Sequence, residues 1–458
     1  MAHESRALAK FAAELQYDDM PPHVIERALD VFVDQIGSEI GCSELPWAKQ
    51  VREVYSRAGG AAEATVVRYG DRLPVTAAAF INSTFGHSFE YDDGNPRFLG
   101  HPGTELIPAL VAISEREHVS GRDFLAAFIA AYEARGRIGS AIVDALRKRG
   151  GPQFSTTCGP FGVAIGAARL LGLGEDGIHT AMAIAGTFSG GLMQYDHGGG
   201  SVKRIYSATA GSGGIQSAYL AQAGLTGPEE ILEGPRGLLR IYSPEFLPEY
   251  LVAGFGEIWM FDTVYFKPYC CVGIIAGAID AMRKLIDDHQ LKAGDIASVE
   301  AGYPSGFHAH AAIAEPTDLL GMQFSTSYAL AITMLKGSNT PREYSEQTLA
   351  DPAVRAFASK VSVVEDLVLN KVTESRMPAR VKVTTVSGKS CEQTIIHAKG
   401  SPGAPFSSAD VDHKFRSQTE DAFGSNGSKQ LLDTLRNIAA LDDMAKLLPM
   451  LVVKGERK

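Results

Sequence analysis

The chain has no excess of positive charge, no long uncharged apolar run and no regular cysteine spacing. Its 43 Lys and Arg stand against 53 Asp and Glu, a formal charge of −10. A nucleic acid or an anionic membrane surface needs a cationic field, so neither is expected as a partner. No stretch approaches the roughly 18 apolar residues of a spanning helix. The start, MAHESRALAKFAAELQYDD, also lacks the continuous apolar segment of a secretory signal. The five cysteines are odd in number and lack metal-type spacing, which reads as free thiols in a reducing compartment. The expectation is a cytoplasmic protein that handles a small molecule. Basic residues grouped within this acidic background then stand out as a candidate anion pocket.

At 458 residues the chain exceeds the roughly 100–200 of a single domain. Residues 23–40, HVIERALDVFVDQIGSEI, follow Pro21-Pro22 and repeat apolar side chains at helical intervals. The same reading holds for 104–117, 123–149, 160–173 and 213–225, where abundant Ala and Gly suit closely packed helices. The character changes after about 262. Strands are predicted at 297–303 and 360–366, a hairpin at 379–397 around Ser387-Gly388, and helices at 271–290 and 324–336. From 400 turn residues lead back into helix, with Ser407 or Ser408 as its cap. A helical domain at 1–262 and 404–458 thus brackets an α+β unit at 263–403.

Several local patterns carry no chemistry. GTFSGG (186–191) is not a nucleophile elbow, GSGGIQ (211–216) lacks the last Gly of a dinucleotide loop, and GGGSVKR (198–204) lacks P-loop spacing. His308 and His310 could share a face as a zinc pair but have no third ligand at a recognisable spacing. Cys270-Cys271 lacks the separation of a redox pair and reads as buried thiols. The stretch HSFEYDDGNPRFLGHPG (87–103) is different: Glu90, Asp92, Asp93 and His101 crowd a segment that Gly and Pro keep irregular. On composition alone it is a polar loop whose acids cap the helix near Thr104. Elsewhere Lys203-Arg204 follow GGGSV, Lys267 sits among aromatics in VYFKPY, and Tyr328 lies in QFSTSYALA. Brought together, these groups could hold carboxylates and move protons.

Those motifs occur in order with DVFVDQIGSEIGC, AAFINSTFGHSFEYDDGNPRFLGHPG, PFGVAIGAARLLGLGED, VKRIYSATAGSGGIQSAYLAQAGLTGP and SPGAPFSSADVDHKF. Nearly end to end, the chain resembles the MmgE/PrpD family of 2-methylcitrate dehydratases, cis-aconitate decarboxylases and iminodisuccinate epimerases. The resemblance implies a mainly α fold: a large all-helical domain formed by both chain ends, plus a smaller inserted α+β lid domain. It implies a homodimer and a site without metal or cofactor between the domains, acting on a small di- or tricarboxylate by proton transfer next to a carboxylate.

Carried over by residue, His101 matches the family's histidine in H-P-[SG], Lys203 and Lys267 its two active-site lysines, Asp92 and Asp93 its paired aspartates, and Tyr328 a lid tyrosine. Glu90 stands where relatives commonly have Asp, and Gln153 about where a second catalytic histidine is usual. The implied scheme has Lys203 and Lys267, with Arg204, holding carboxylates and stabilising enolate-like charge. His101 serves as acid or base, oriented by Glu90, Asp92 or Asp93, and Tyr328 closes from the lid. A lyase, dehydratase or decarboxylase, is the leading expectation. An isomerase or epimerase is the alternative, since Gln153 cannot exchange a proton as His can. A non-catalytic carboxylate-binding protein is the third reading.

Overall fold

A proline in the first turn of a helix has no N–H to leave unpaired, and three of the long N-terminal helices use one. The computed structural model describes residues 4–150, 152–195, 199–243, 248–305, 307, 311–372 and 377–453. After α1 (Glu4–Glu14), Pro22 opens α2 (Pro22–Cys42), Pro46 opens α3 (Pro46–Ala58) and, beyond α4 (Val75–Gly86), Pro102 opens α5 (Pro102–Glu117). Ser120 caps α6 (Gly121–Arg149) by accepting the Asp123 N–H. Then come α7 (Phe154–Leu170), α8 (Gly174–Ala185) and α9 (Tyr206–Gln222). His308 and His310 lie outside the described residues.

The fold is mainly α, and its buried side chains form two clusters. The larger runs from Leu8 to Phe266 and resumes at Phe406–Leu451, so both chain ends build one helical core. The smaller holds Cys42, Phe89 and Tyr91 with side chains from Tyr269 to Ala398. Small strands precede the second unit: β1 (Ala64–Thr65) with β2 (Arg72–Leu73), and β3 (Asp93–Gly94) with β4 (Tyr265–Phe266). Its main sheet has the order β6-β5-β7-β8, from β5 (Ile296–Tyr303), β6 (Val361–Glu365), β7 (Ala379–Thr385) and β8 (Ser390–Ile395). Only the β5–β6 pair of that sheet is parallel. Helix α10 (Ala276–His289) covers β7 and β8, while α11 (Leu319–Gln323) leads into α12 (Thr326–Lys336).

The chain returns to the helical core through α13 (Ser408–Arg436), capped by Ser407 and kinked at Gly424. It packs along α2, where Gly37 and Gly41 leave room for it. A Cβ at either position would lie 3.0 Å from Phe415 or Gln418. From α13, Lys414 pairs with Asp34 at 2.8 Å and donates to the Tyr91 carbonyl, tying the C-terminal helix to the 87–103 loop.

A second tie to that loop is buried deeper. Arg135 of α6 donates from Nε and Nη2 to the two Glu105 carboxylate oxygens of α5, at 2.9 and 3.0 Å, with both side chains fully buried. Its Nη1 donates to the Leu99 carbonyl at 2.5 Å. Removing one member strands a buried charge, so Arg135→Met is expected to destabilise the protein by about 3–5 kcal/mol in denaturant unfolding. The Glu105→Leu, Arg135→Met double variant is expected to recover most of that loss, because no charge is then left unpaired.

Candidate active site

The loop after α4 holds two non-glycine residues in the left-handed region, Glu90 at φ +53° and Leu99 at φ +59°. Such conformations cost about 1–3 kcal/mol each and persist only where the surroundings enforce them. Here the Phe89 carbonyl accepts from Gln323 Nε2 at 2.7 Å and from Cys270 Sγ at 2.8 Å, and Arg135 holds the Leu99 carbonyl. Gly94 pairs with Tyr265 across the β3–β4 ribbon. A Cβ at position 94 would stand 2.5 Å from the Tyr265 ring, so only glycine lets this ribbon close.

The ribbon and the strained turn aim acidic side chains at basic ones. Glu90 bridges both lysines: Lys203 Nζ donates to its Oε1, and Lys267 Nζ to its Oε2 at 3.1 Å. Lys267 also donates to Asp92 Oδ1 at 2.9 Å. The other oxygen, Asp92 Oδ2, receives His87 Nδ1 at 2.9 Å and His101 Nδ1 at 2.8 Å. His101 Nδ1 also lies 2.9 Å from the Asp93 carbonyl, which can only accept. Nδ1 of His101 therefore carries the proton, and Nε2 is the atom free to accept or deliver one. His101 is the N-cap residue of α5, and the Asp93 carboxyl accepts the Gly103 N–H of that helix's first turn. The acidic residue expected to cap the helix near Thr104 thus does so, within the same constellation.

Burial sorts the protonation states. It pushes His87 down to about 3 despite Asp92, so this ring is neutral, and its Nε2 has no hydrogen-bond partner among the described residues. Burial raises the Asp92 carboxyl, but His101, Lys267 and His87 more than offset this and hold it well below its usual range. At Asp93 burial and the neighbouring Asp92 charge outweigh His101 and lift it to about 8. Burial lowers Lys267, and Asp92 reverses the effect so that it stays protonated. Burial with Lys267 and Arg204 nearby brings Lys203 well below its usual range, and its Nζ donates to Glu90.

These groups open on a cavity of about 240 Å3 lined among the described residues by Glu90, His101, Gln153, Lys203 and Lys267. Of the other residues expected at the site, Asp92 and Asp93 lie behind this wall as partners of His101. Arg204 is buried beneath it, with Nη2 on Gln323 Oε1 at 3.1 Å and its guanidinium 4.5 Å over the Trp47 ring. Tyr328 is buried in the α+β core near the start of α12, away from the described lining. Gln153 is the N-cap of α7, its Oε1 accepting the Thr156 N–H at 2.8 Å. Sequence reasoning left out His87, Tyr265, Arg147 and Gln323. For His87 the signal was present, a second histidine five residues before Asp92.

His87, Asp92 and His101 place ligand-type atoms within 4.8 Å of one another, a geometry able to take a metal ion. Lys267 already holds the same carboxylate and opposes a second cation there. A larger cavity, about 840 Å3 beside Arg72, Glu115 and Val452, shows no comparable convergence. Its buried carboxylate, Glu115, is taken up by Thr65 and Arg72.

Comparison with known proteins identifies the family. The model of the MmgE/PrpD N-terminal domain matches residues 6–251, and that of the MmgE/PrpD C-terminal domain matches 269–439. The chain belongs to the MmgE/PrpD family. It is 27% identical to a cis-aconitate decarboxylase of Aspergillus terreus, over 97% of this chain and 95% of the relative. It is also 27% identical to the human cis-aconitate decarboxylase, over 95% and 92%. A cis-aconitate decarboxylase-like protein oryM of Aspergillus oryzae matches at 27%, over 98% and 97%. Membership in the MmgE/PrpD family with these relatives makes the protein an enzyme of the lyase class. Among the described residues no helix is long and apolar enough to cross a membrane.

The raised Asp93 pKa has a consequence for stability. An Asp that is near 3.9 when unfolded and about 8 when folded favours the fold fully below about 4, and that contribution is lost as the pH rises toward 8. Glu39 and Glu133, also lifted to about 8 by burial, act in the same direction. Between pH 5 and 8 the thermal midpoint of Asp93→Asn is therefore expected to fall less steeply than that of the parent protein.

Proposed function

We propose that the protein is a decarboxylase of a small polycarboxylate such as cis-aconitate, working by proton transfer next to a carboxylate and without metal or cofactor. The observation that carries this is the convergence of Lys203, Lys267 and His101 Nε2 on one cavity, with the Asp92 carboxylate fixing the His101 tautomer. In this scheme Lys203 and Lys267 attract the substrate's carboxylates, with Glu90 keeping the two ammonium groups in register. The bond from carbon to one carboxylate breaks and CO2 leaves. The electron pair spreads toward a second carboxylate, stabilised by the lysines. His101 Nε2 then delivers a proton to the carbon, and Asp92 balances the imidazolium that precedes delivery. The wider expectations of a homodimer and a cytoplasmic location accompany this reading.

The balance of protons favours decarboxylation over dehydration. Loss of CO2 needs a single protonation. Expulsion of water needs a base for the C–H and an acid for the hydroxide. Gln153, with its oxygen committed to capping α7, offers the cavity an amide donor but no exchangeable acid. The second reading is an epimerase of a small dicarboxylate such as iminodisuccinate, which has no leaving group to protonate and so needs no acid from Gln153.

Proton NMR in D2O with cis-aconitate, 2-methylcitrate, citrate and iminodisuccinate separates these readings. The expected result is CO2 release with a new deuterium-labelled alkene product. Exchange of one C–H with inversion and no skeletal change would establish the epimerase instead. On the active substrate, His101→Asn is expected to lose about 100- to 10,000-fold in kcat, and full activity in that variant would sink the mechanism. Activity is expected to survive exhaustive dialysis against EDTA. Its loss and recovery with a divalent metal would assign His87, Asp92 and His101 as ligands.

A further inference from the structure

Behind the Lys203–Glu90 ion pair, each partner's chain neighbour is drawn into a second contact. Arg204 follows Lys203 and donates to Gln323 Oε1 at 3.1 Å, and Gln323 Nε2 donates at 2.7 Å to the carbonyl of Phe89, which precedes Glu90. The same nitrogen lies 3.3 Å from the Cys270 carbonyl, and the Gln323 carbonyl accepts the Val272 N–H at 3.0 Å. Gln323 is fully buried and ends α11, whereas Phe89 lies in the 87–103 loop and Arg204 just before α9. The Phe89 ring in turn stacks on Trp47, the ring under the Arg204 guanidinium.

Two features go beyond ordinary packing. Arg204 is buried with Nε and Nη1 lacking partners among the described residues, so its one side-chain hydrogen bond to Gln323 supports a guanidinium that burial otherwise disfavours. The carbonyl that Gln323 grips belongs to the peptide entering Glu90, whose φ of +53° is the strained step that turns its carboxylate toward both lysines. Releasing that carbonyl lets Glu90 relax to an ordinary backbone conformation and withdraw from Lys203.

We infer that Gln323 and Arg204 are positioning residues, a latch by which the α+β unit fixes the Glu90 carboxylate between Lys203 and Lys267. The latch rests on the proposed use of that lysine pair but acts through the placement of Glu90, not through contact with substrate. It also gives Arg204 a place in the site without exposure to the cavity.

The groups facing Lys203 are Glu90 and His87 from the loop, Lys267 just after β4, and Arg204 beside it, with the Phe324 ring 5.4 Å away. Gln323→Glu keeps the acceptor for Arg204 but replaces the donor to Phe89 with a carboxylate oxygen. Lys203 lines the cavity, so its titration can be followed by pH-dependent acetylation with acetic anhydride and peptide mass spectrometry. In Gln323→Glu the midpoint of Lys203 is expected to move down by about one pH unit, because the departing carboxylate no longer favours the ammonium form. Lys267, still held by Asp92, is expected to move less. Arg204→Lys, which keeps both a donor for Gln323 and the positive charge beside Lys203, should retain the parent midpoint. Met282→Ala, a truncation in the same buried core, is expected to lower thermal stability without moving the midpoint.

An unmoved Lys203 in Gln323→Glu, or an equal shift in Met282→Ala, would overturn the latch. With the active substrate, Gln323→Glu is expected to lose at least tenfold in kcat with a smaller change in KM. The acetylation needs no turnover. Failure of every carboxylate as substrate would therefore sink the proposed reaction while the latch is judged on its own readout.

Discussion

Everything around the cavity depends on burying Glu90 and Asp92 against Lys203 and Lys267. All four side chains are almost wholly removed from water. Each such ion loses several kcal/mol of hydration, which only close contact with opposite charge can offset. The partners lie more than a hundred residues apart in the chain, so this constraint acts on the whole fold. Both chain ends must close the helical core, and the α+β unit must sit where Gln323 reaches Phe89. The strained Glu90 backbone is tolerated because relaxing it would leave two ammonium groups short of a counterion.

The same constraint sets the proton chemistry. With both Asp92 oxygens occupied by donors, Asp92 stays ionised and its negative charge holds His101 by Nδ1. Asp93, one residue on, accepts from the first turn of α5, and burial beside the Asp92 charge keeps its proton on near neutrality. Adjacent carboxyls thus take opposite states because three donors outweigh burial at Asp92, whereas at Asp93 burial and the neighbouring Asp92 charge outweigh His101 and the Gly103 N–H. His101 lies between them, its Nδ1 held by the side chain of one and the backbone of the other.

Much of the architecture was legible because helices and hairpins are written locally. The apolar period of 23–40 became α2, the long helix read at 123–149 became α6, and the alternation around Ser387-Gly388 became β7 and β8. The resemblance drew attention to His101, Lys203 and Lys267, which line one cavity. What local sequence could not carry is pairing at long range. The β3–β4 ribbon joins Gly94 to Tyr265, and nothing near either residue announces the other. Gln323 likewise looks like an ordinary helix-end residue until its amide is seen spanning Arg204 and Phe89. His87 was passed over because a buried neutral histidine has the same sequence appearance as any loop histidine.

Gln153 shows how a single residue can serve the fold and limit the chemistry together. A histidine at this position could carry a proton, whereas Gln153 accepts from Thr156 N–H and Oγ1 with its oxygen and keeps only amide N–H groups as further donors. Capping α7 removes one of the helix's unpaired N–H groups. The remaining donor can orient an anion but cannot exchange a proton near neutrality. Among the described lining residues His101 is then the one imidazole, so a reaction needing one proton delivered to one carbon suits this chain better than one needing an acid and a base on opposite faces. Departure of CO2 supplies the electron pair without a base, and this asymmetry makes a cavity with a single imidazole sufficient.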